Sequence, residues 1–339
     1  MDYKDREIIL FAKLNFHRSC LLPVADELTK LDIPHRLTSK RHLVYDEYHE
    51  RGKFKIMVIA DEWFNLFREC ADIMIGTGHS MVSKNTTFNE RNSEGDYICV
   101  TSPWQKNEFI QKNVTPRKEF WVTGYPAADK IMKGKLSSGN IYLIRDLFMS
   151  NLPNLLIAPT YNRDLNLMDD LMKHEKELGV LSDYFNIIFK PHPVLPKKYP
   201  EQTDFMRKMA QRHGRIFFVE DSHSDISDCI IWSDVVLGDC SGALILALAS
   251  NKPIIAYNNP NRFTSLYYDP EGMEWKHRSQ YAYQVEDLGH LQEQLRCVVE
   301  QDCMKKERTQ FRNLIYGESV DGDSAKRIAL KIKEVIENV

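Results

Sequence analysis

A chain of 339 residues is long enough for two α/β domains, and 43% hydrophobic with 27% charged residues is the composition of an ordinary soluble globular protein. The formal net charge of −3, from 45 basic and 48 acidic residues, provides no global field for nucleic acid. No run approaches the ~20 apolar residues that a membrane-spanning helix requires. The seven cysteines are scattered, odd in number and without a C-x-x-C pair. They predict free, mostly buried thiols in a reducing compartment and neither a disulfide framework nor a zinc site. The first residues, MDYKDREIILFAKLNF, carry only a short apolar run and no small-residue cleavage site, so they read as a first strand rather than a signal peptide.

In chain order, EIILFAK (7–13) predicts a strand, and 19–32 has apolar residues at helical spacing, with Pro23 expected in its first turn. The stretch 34–55 is basic with interleaved aromatics: Arg36, Lys40, Arg41, Arg51, Lys53 and Lys55 stand against Asp46, Glu47 and Glu50. It suits either an anionic membrane surface or a plain solvated face. Strands follow at 55–61, 72–76, 96–102 and 119–125, with helices at 62–71 and 103–113, the latter opened by Pro103. This alternation describes one doubly wound α/β domain over about 1–135. The Gly, Ser and Lys residues of 132–140 mark its border, and a helix is expected over 141–150. A second series comprises strands at 154–161, 185–193 and 215–221 with helices at 170–179 and 203–214, and amphipathic helices at 288–301 and 324–339 close the chain. The second domain is expected over 136–323, with 324–339 packing back on the first.

The stretch 234–257 organises this second half. Val235, Val236 and Leu237 form a short apolar strand, Gly238 to Gly242 a turn of small and polar residues, ALILALA a buried helix, and IIAY another strand. Strand, turn, helix and strand make a βαβ unit, hence a parallel sheet. The turn places backbone N–H groups and the Ser241 hydroxyl at a helix N-terminus, where unpaired donors and the helix dipole favour an anion. Asp239 or Ser241 serving only as a helix cap is an equal reading. Lys190 and His192, in KPHP after the strand NIIF, place a fixed charge and a proton donor at a strand's carboxyl end; a structural turn is the alternative. Gly76-Thr77-Gly78-His79-Ser80 ends a first-domain strand, and His79 is a candidate base for a hydroxyl proton. The arrangement is not G-x-G-x-x-G, so no dinucleotide fingerprint is read. Thr160 stands at the carboxyl end of the strand at 154–161 and Arg163 follows it; Arg163 suits a bidentate phosphate clamp or an ordinary surface position.

Together the ordered motifs TSPWQKNEF…VTGYPAAD, LLIAPTYNR, IIFKPHP, SDVVLGDCSGALILALASNKPIIAYN and VDGDSAKRIALKI resemble the CDP-glycerol glycerophosphotransferase family, the teichoic-acid primases and polymerases. The resemblance runs from the middle of the first domain to the C-terminus. It implies an α/β fold of two Rossmann-like domains, of GT-B type, with an interdomain cleft. It also implies transfer of a glycerol-phosphate unit from CDP-glycerol to an acceptor hydroxyl with release of CMP, in teichoic-acid or capsule synthesis. His79 matches the family's proposed general base and His192 the His of its Lys-Pro-His-Pro motif, which stabilises the pyrophosphate. Asp239, Cys240, Ser241 and Gly242 match the loop that holds donor phosphates, and Arg163 the Arg after Ala-Pro-Thr.

The chain departs from the family at several of these places. Gly78 precedes His79 where the family has Gly after the His, and Gly242 replaces a hydroxyl residue. Ala127 replaces an Arg, and Arg163 stands one residue late. CDP-ribitol therefore remains open beside CDP-glycerol as donor. The expected partners are the CDP-activated donor and a saccharide or lipid-linked acceptor, without cofactor or metal, in the cytoplasm or at the inner face of the membrane. Two further readings are a GT-B glycosyltransferase using a nucleotide sugar and a non-catalytic nucleotide-binding subunit.

Overall fold

A computed structural model describes residues 7–60, 64–78, 88, 90–136, 151–220, 225–317 and 320–338. The chain divides into two compact units, Met1–Lys133 with Asn313–Val339, and Gly134–Arg312. The chain thus re-enters the first unit at Asn313, ahead of the expected 324. The helix Lys305–Tyr316, which sequence periodicity did not single out, spans that point.

The first unit is built on six parallel strands: β1 (Ile8–Phe11), β2 (His35–Thr38), β3 (Phe54–Ile59), β4 (Ala71–Gly76), β5 (Tyr97–Val100) and β6 (Glu119–Val122). Their order in the sheet is β2-β1-β3-β4-β5-β6. The inner strands are nearly continuous apolar runs because both faces are covered, and β1 is buried along its whole length. β2 escapes the sequence reading because His-Arg-Leu-Thr sits at the sheet edge, only half-buried. After it, the helix Arg41–Arg51 turns Val44, Tyr45 and Tyr48 onto the core of Phe11, Phe67 and Met74, so the aromatics of the basic stretch are spent on packing.

Two helical expectations need correction. The helix expected from 19 begins at Asn15 and runs to Lys30, which puts Pro23 inside it rather than in its first turn. The proposed helix at 62–71 is described only as the single turn Phe64–Phe67. The helix expected over 141–150 lies outside the described residues.

The C-terminal segment completes this unit. The helix Ser324–Glu337 buries Ile328, Ala329, Ile332 and Val335 and packs on the helix Asn15–Lys30. Thr101 Oγ1 donates to the Ile315 carbonyl at 2.7 Å, and Arg327 Nε to the Thr123 carbonyl at 2.8 Å. The carboxylate of Asp129 accepts the N–H groups of Ser324 (3.0 Å) and Ala325 (2.8 Å).

The second unit has strands β7 (Asn154–Ala158), β8 (Asn186–Phe189), β9 (Ile216–Phe218), β10 (Val235–Gly238), β11 (Ile254–Tyr257) and β12 (Tyr283–Val285), in the order β12-β11-β10-β7-β8-β9 and again parallel throughout. The chain starts in the middle at β7, winds outward through β8 and β9, then returns to β10 on the other side. This is the doubly wound order in which ligands bind beyond the carboxyl ends of the two central strands, here β7 and β10, where the winding reverses. The edge strand β12 is three residues long and was not predicted. The helix expected at 170–179 is two short ones, Met168–Lys173 and Glu175–Leu181, separated at His174. Of the seven cysteines, five are buried and Cys297 and Cys303 are exposed; all are free. Among the described residues no helix is long and apolar enough to cross a membrane.

Candidate functional site

The strand reversal of the second unit brings together the turns after β7, β8 and β10. In β10, Val235 pairs with Leu155 and Gly238 with Ala158, so the two turns start level. Gly238 gives room to the following helix: a Cβ there would lie 2.8 Å from Leu244 Cδ2, which would have to shift. The chain then passes through Asp239 and Cys240 to Ser241, the N-cap residue of the helix Gly242–Ala249. Ser241 has the extended backbone of an N-cap (φ −152°, ψ 157°), yet its side chain makes no capping bond. Ser241 Oγ is buried and has no hydrogen-bond partner. Gly242 is exposed, with nothing within 4 Å of where a Cβ would stand. The helix therefore begins with the positive end of its dipole and a buried hydroxyl without a partner, and it opens to solvent at Gly242.

Asp239 was expected to hold donor phosphates, and here the structure requires a correction. Its side chain is fully buried and points into the protein. The carboxylate accepts the Thr160 N–H at 3.0 and 3.1 Å, the Leu167 N–H at 3.1 Å and the Cys240 N–H at 2.6 Å. It ties the turn after β7 to the turn after β10. Burial pushes its pKa up to about 7, against the N–H bonds that pull it down. Cys240 is likewise turned inward, its thiol donating to Glu274 Oε2 at 3.4 Å. Both residues shape the turn from within and present no side chain to a ligand.

Thr160 is buried, its backbone engaged by Asp239 and by Asn166 Nδ2, which donates to its carbonyl at 3.4 Å. Asn166 Nδ2 also donates to Gln202 Oε1 at 3.0 Å, and Asn259 Nδ2 to the Asn166 carbonyl at 2.7 Å. Arg163, expected as a phosphate clamp, instead grips Asp169 in bidentate fashion at 2.8 and 3.2 Å and lies 3.7 Å from Glu201. Half-exposed and satisfied by carboxylates, it belongs to the surface.

In the turn after β8, Lys190 is buried and Pro191 follows it. The His192 N–H donates to the Pro159 carbonyl at 3.0 Å, which fastens this turn to the one after β7. His192 Nδ1 accepts the Val194 N–H at 3.2 Å, and the ring lies against Tyr161 with centroids 4.7 Å apart. With Nδ1 accepting a backbone N–H, the proton of a neutral ring would sit on Nε2. His79 lies outside the described residues. The Gly76 before it sits where a Cβ would meet Phe64 Cζ at 2.5 Å, and the Thr77 N–H donates to the Ile59 carbonyl at 2.9 Å.

Two side chains beneath the site were not singled out by sequence reasoning. Glu274 and Arg278 are buried and 3.5 Å apart. The only signal for them is their i,i+4 spacing on WKHR-like surface composition, which ordinarily marks a solvated pair. Among the described residues, one group has ligand atoms of metal-binding type within 4.8 Å of one another: Asp170, His174 and Asp287. It lies apart from the three turns in sequence, and the Leu288 N–H already occupies Asp170 Oδ2 at 2.9 Å.

Comparison with known proteins follows the same lines. The family described as CDP-glycerol:poly(glycerophosphate) glycerophosphotransferase matches residues 73–334. No curated protein sequence matches the chain. Among solved structures, the wall teichoic acid polymerase TagF is 15% identical with a TM-score of 0.71, covering 98% of this chain and 90% of that one. A putative UDP-N-acetylglucosamine 2-epimerase from Listeria monocytogenes is 14% identical with a TM-score of 0.65, covering 98% and 97%. The S. aureus MnaA–UDP structure is 13% identical with a TM-score of 0.64, covering 98% of each chain. At such identities the likeness is one of fold: two Rossmann-like domains of the GT-B type.

Proposed function

The chain belongs to the CDP-glycerol:poly(glycerophosphate) glycerophosphotransferase family, and from that premise we propose that it transfers glycerol phosphate from CDP-glycerol to a hydroxyl of a polymer acceptor, releasing CMP, in teichoic-acid or capsule synthesis. The observation that carries this reading is the uncapped start of the helix Gly242–Ala249, with Ser241 Oγ buried and unpartnered at the strand reversal. A diphosphate supplies the anion that such a helix end lacks. His192 Nε2–H donates to a diphosphate oxygen. His79 takes the proton of the acceptor hydroxyl as its oxygen attacks the phosphorus bearing glycerol. The bond from that phosphorus to the CMP oxygen breaks, and CMP leaves with the electron pair. Positioning and charge neutralisation carry such a reaction, with no covalent protein intermediate.

The test is CMP release from CDP-glycerol, CDP-ribitol and UDP-sugars with candidate acceptors. We expect CMP from a CDP-polyol and a product that keeps phosphorus; a phosphorus-free glycoside formed from a UDP-sugar would remove the proposal. His79→Ala should lower kcat by about 10²–10⁴-fold, and His192→Ala by about 10²–10³-fold, as for loss of one preorganised donor. Near-normal CMP release from either folded variant would withdraw its role. A lipid-linked acceptor would draw the protein to the inner face of the membrane, where the exposed Arg41, Arg51 and Lys53 would meet anionic lipid. Absence of cosedimentation with anionic vesicles at low salt would sink that part.

A further inference from the structure

Arg278 is 1% exposed and Glu274 is fully buried, an unusual place for two charges unless every polar atom is used. The Arg278 guanidinium does so across two strand ends. Nη2 donates to the Asp239 carbonyl at 2.8 Å, and Nη1 to the Tyr257 carbonyl at 3.1 Å and to Asn258 Oδ1 at 2.9 Å. Nε donates to the Glu274 carbonyl at 3.3 Å, and the guanidinium carbon lies 3.7 Å from the Trp275 ring centroid. Glu274 completes the set by accepting the Cys240 thiol.

The consequence lies in one peptide group. The Asp239–Cys240 peptide is held on one edge by Arg278, which binds its carbonyl, and on the other by the Asp239 carboxylate, which binds its N–H at 2.6 Å. A peptide group is a rigid plane, so two bonds on opposite edges leave it no rotation. The next residue is Ser241, whose carbonyl accepts the Leu244 N–H at 3.2 Å and starts the helix. The direction in which the helix presents its first N–H groups is thus set from below by Arg278. A lysine, with one nitrogen, cannot span the Asp239 carbonyl and the end of β11 together.

Resting on the reading of the Ser241 turn as the donor-phosphate cradle, we propose that Arg278 is a positioning residue for donor binding: by fixing the Asp239–Cys240 peptide it aims the helix N-terminus at the diphosphate, without touching the donor.

The experiment measures CDP-glycerol turnover, and CDP and cytidine binding by calorimetry, for Arg278→Lys, Asn258→Ala and Ser241→Ala. For Arg278→Lys we expect KM for CDP-glycerol and Kd for CDP to rise at least tenfold, with kcat within threefold and cytidine affinity within twofold of the parent. Weakening of CDP and cytidine alike would mark a general packing defect and overturn the proposal, as would unchanged CDP binding. If Arg278→Lys does not fold, Asn258→Ala decides: it removes one acceptor that orients the guanidinium, and should raise Kd for CDP three- to fivefold; no change overturns the proposal. Ser241→Ala separates the two levels. If it leaves CDP binding intact, the cradle reading fails and this inference with it. If it weakens CDP binding while Arg278→Lys does not, the cradle stands and the role of Arg278 is refuted.

Discussion

Two helix N-termini in this chain are finished in opposite ways. The helix Ser324–Glu337 in the first unit receives a carboxylate from the protein itself: Asp129, 7% exposed, accepts its first two N–H groups. The helix Gly242–Ala249 in the second unit has an aspartate two residues before its N-cap, but Asp239 is turned away, and the N-cap hydroxyl bonds to nothing. Each helix end carries roughly half a positive charge. In the first unit that charge is neutralised internally and stabilises the fold. In the second the chain supplies no side-chain cap, and in the proposed function the donor diphosphate takes that place. A buried aspartate beside a helix start can thus serve either to cap the helix, as Asp129 does, or to tie neighbouring turns together, as Asp239 does.

The sharpest way to break this comparison is at Asp239. Asp239→Ala strands the N–H groups of Thr160, Leu167 and Cys240, each costing about 1–3 kcal/mol when buried without a partner. We expect a large fall in melting temperature and no measurable CDP-glycerol binding; a variant that melts normally would show that the carboxylate does not hold the turns together. The same group gives a pH signature. Its folded pKa is raised from 3.8 to about 7, so between those values the folded state keeps a proton that the unfolded chain has released. Its contribution therefore makes the protein less stable as pH rises through that window and is level above about 7. Asp239→Asn should flatten that slope.

Asp129 tests the other half. Asp129→Ala removes an internal cap and should lower stability by about 1–2 kcal/mol, read by denaturant melting, while leaving the affinity for CDP unchanged. Loss of CDP affinity in the folded variant would erase the distinction between the two helix ends. The smallest effect is expected at Arg163, whose exposed pair with Asp169 is worth at most about 1 kcal/mol. Arg163→Ala should leave kcat and KM within twofold, and a tenfold rise in KM would restore it as a donor clamp.

The central strands were legible because burial on both faces of a parallel sheet writes them as unbroken apolar runs, as in IILF and VVLG. The Ser241 turn was legible for a related reason: small polar residues between a buried strand and a buried helix leave few conformations. β2 and β12 were not, since an edge strand is covered on fewer sides and tolerates His, Arg and Gln. Nor was the position of Pro23, because helical spacing does not reveal that a helix begins before its apolar stripe. The site's supports were hidden for the opposite reason. Asp239, Glu274 and Arg278 carry charges whose default place is water, and only the meeting of three distant segments turns them inward. Spacing along the chain cannot show which way a carboxylate faces.

The return of the chain to its first unit has a bearing on biosynthesis. Gly134–Arg312 is a contiguous segment, whereas the first unit needs residues 313–339 to cover the helix Asn15–Lys30. A ribosome-bound chain from which residue 312 has just emerged should therefore hold a protease-resistant second unit beside an N-terminal part still open to chaperones. Equal resistance of both parts in such a ribosome-bound chain would contradict that order of maturation.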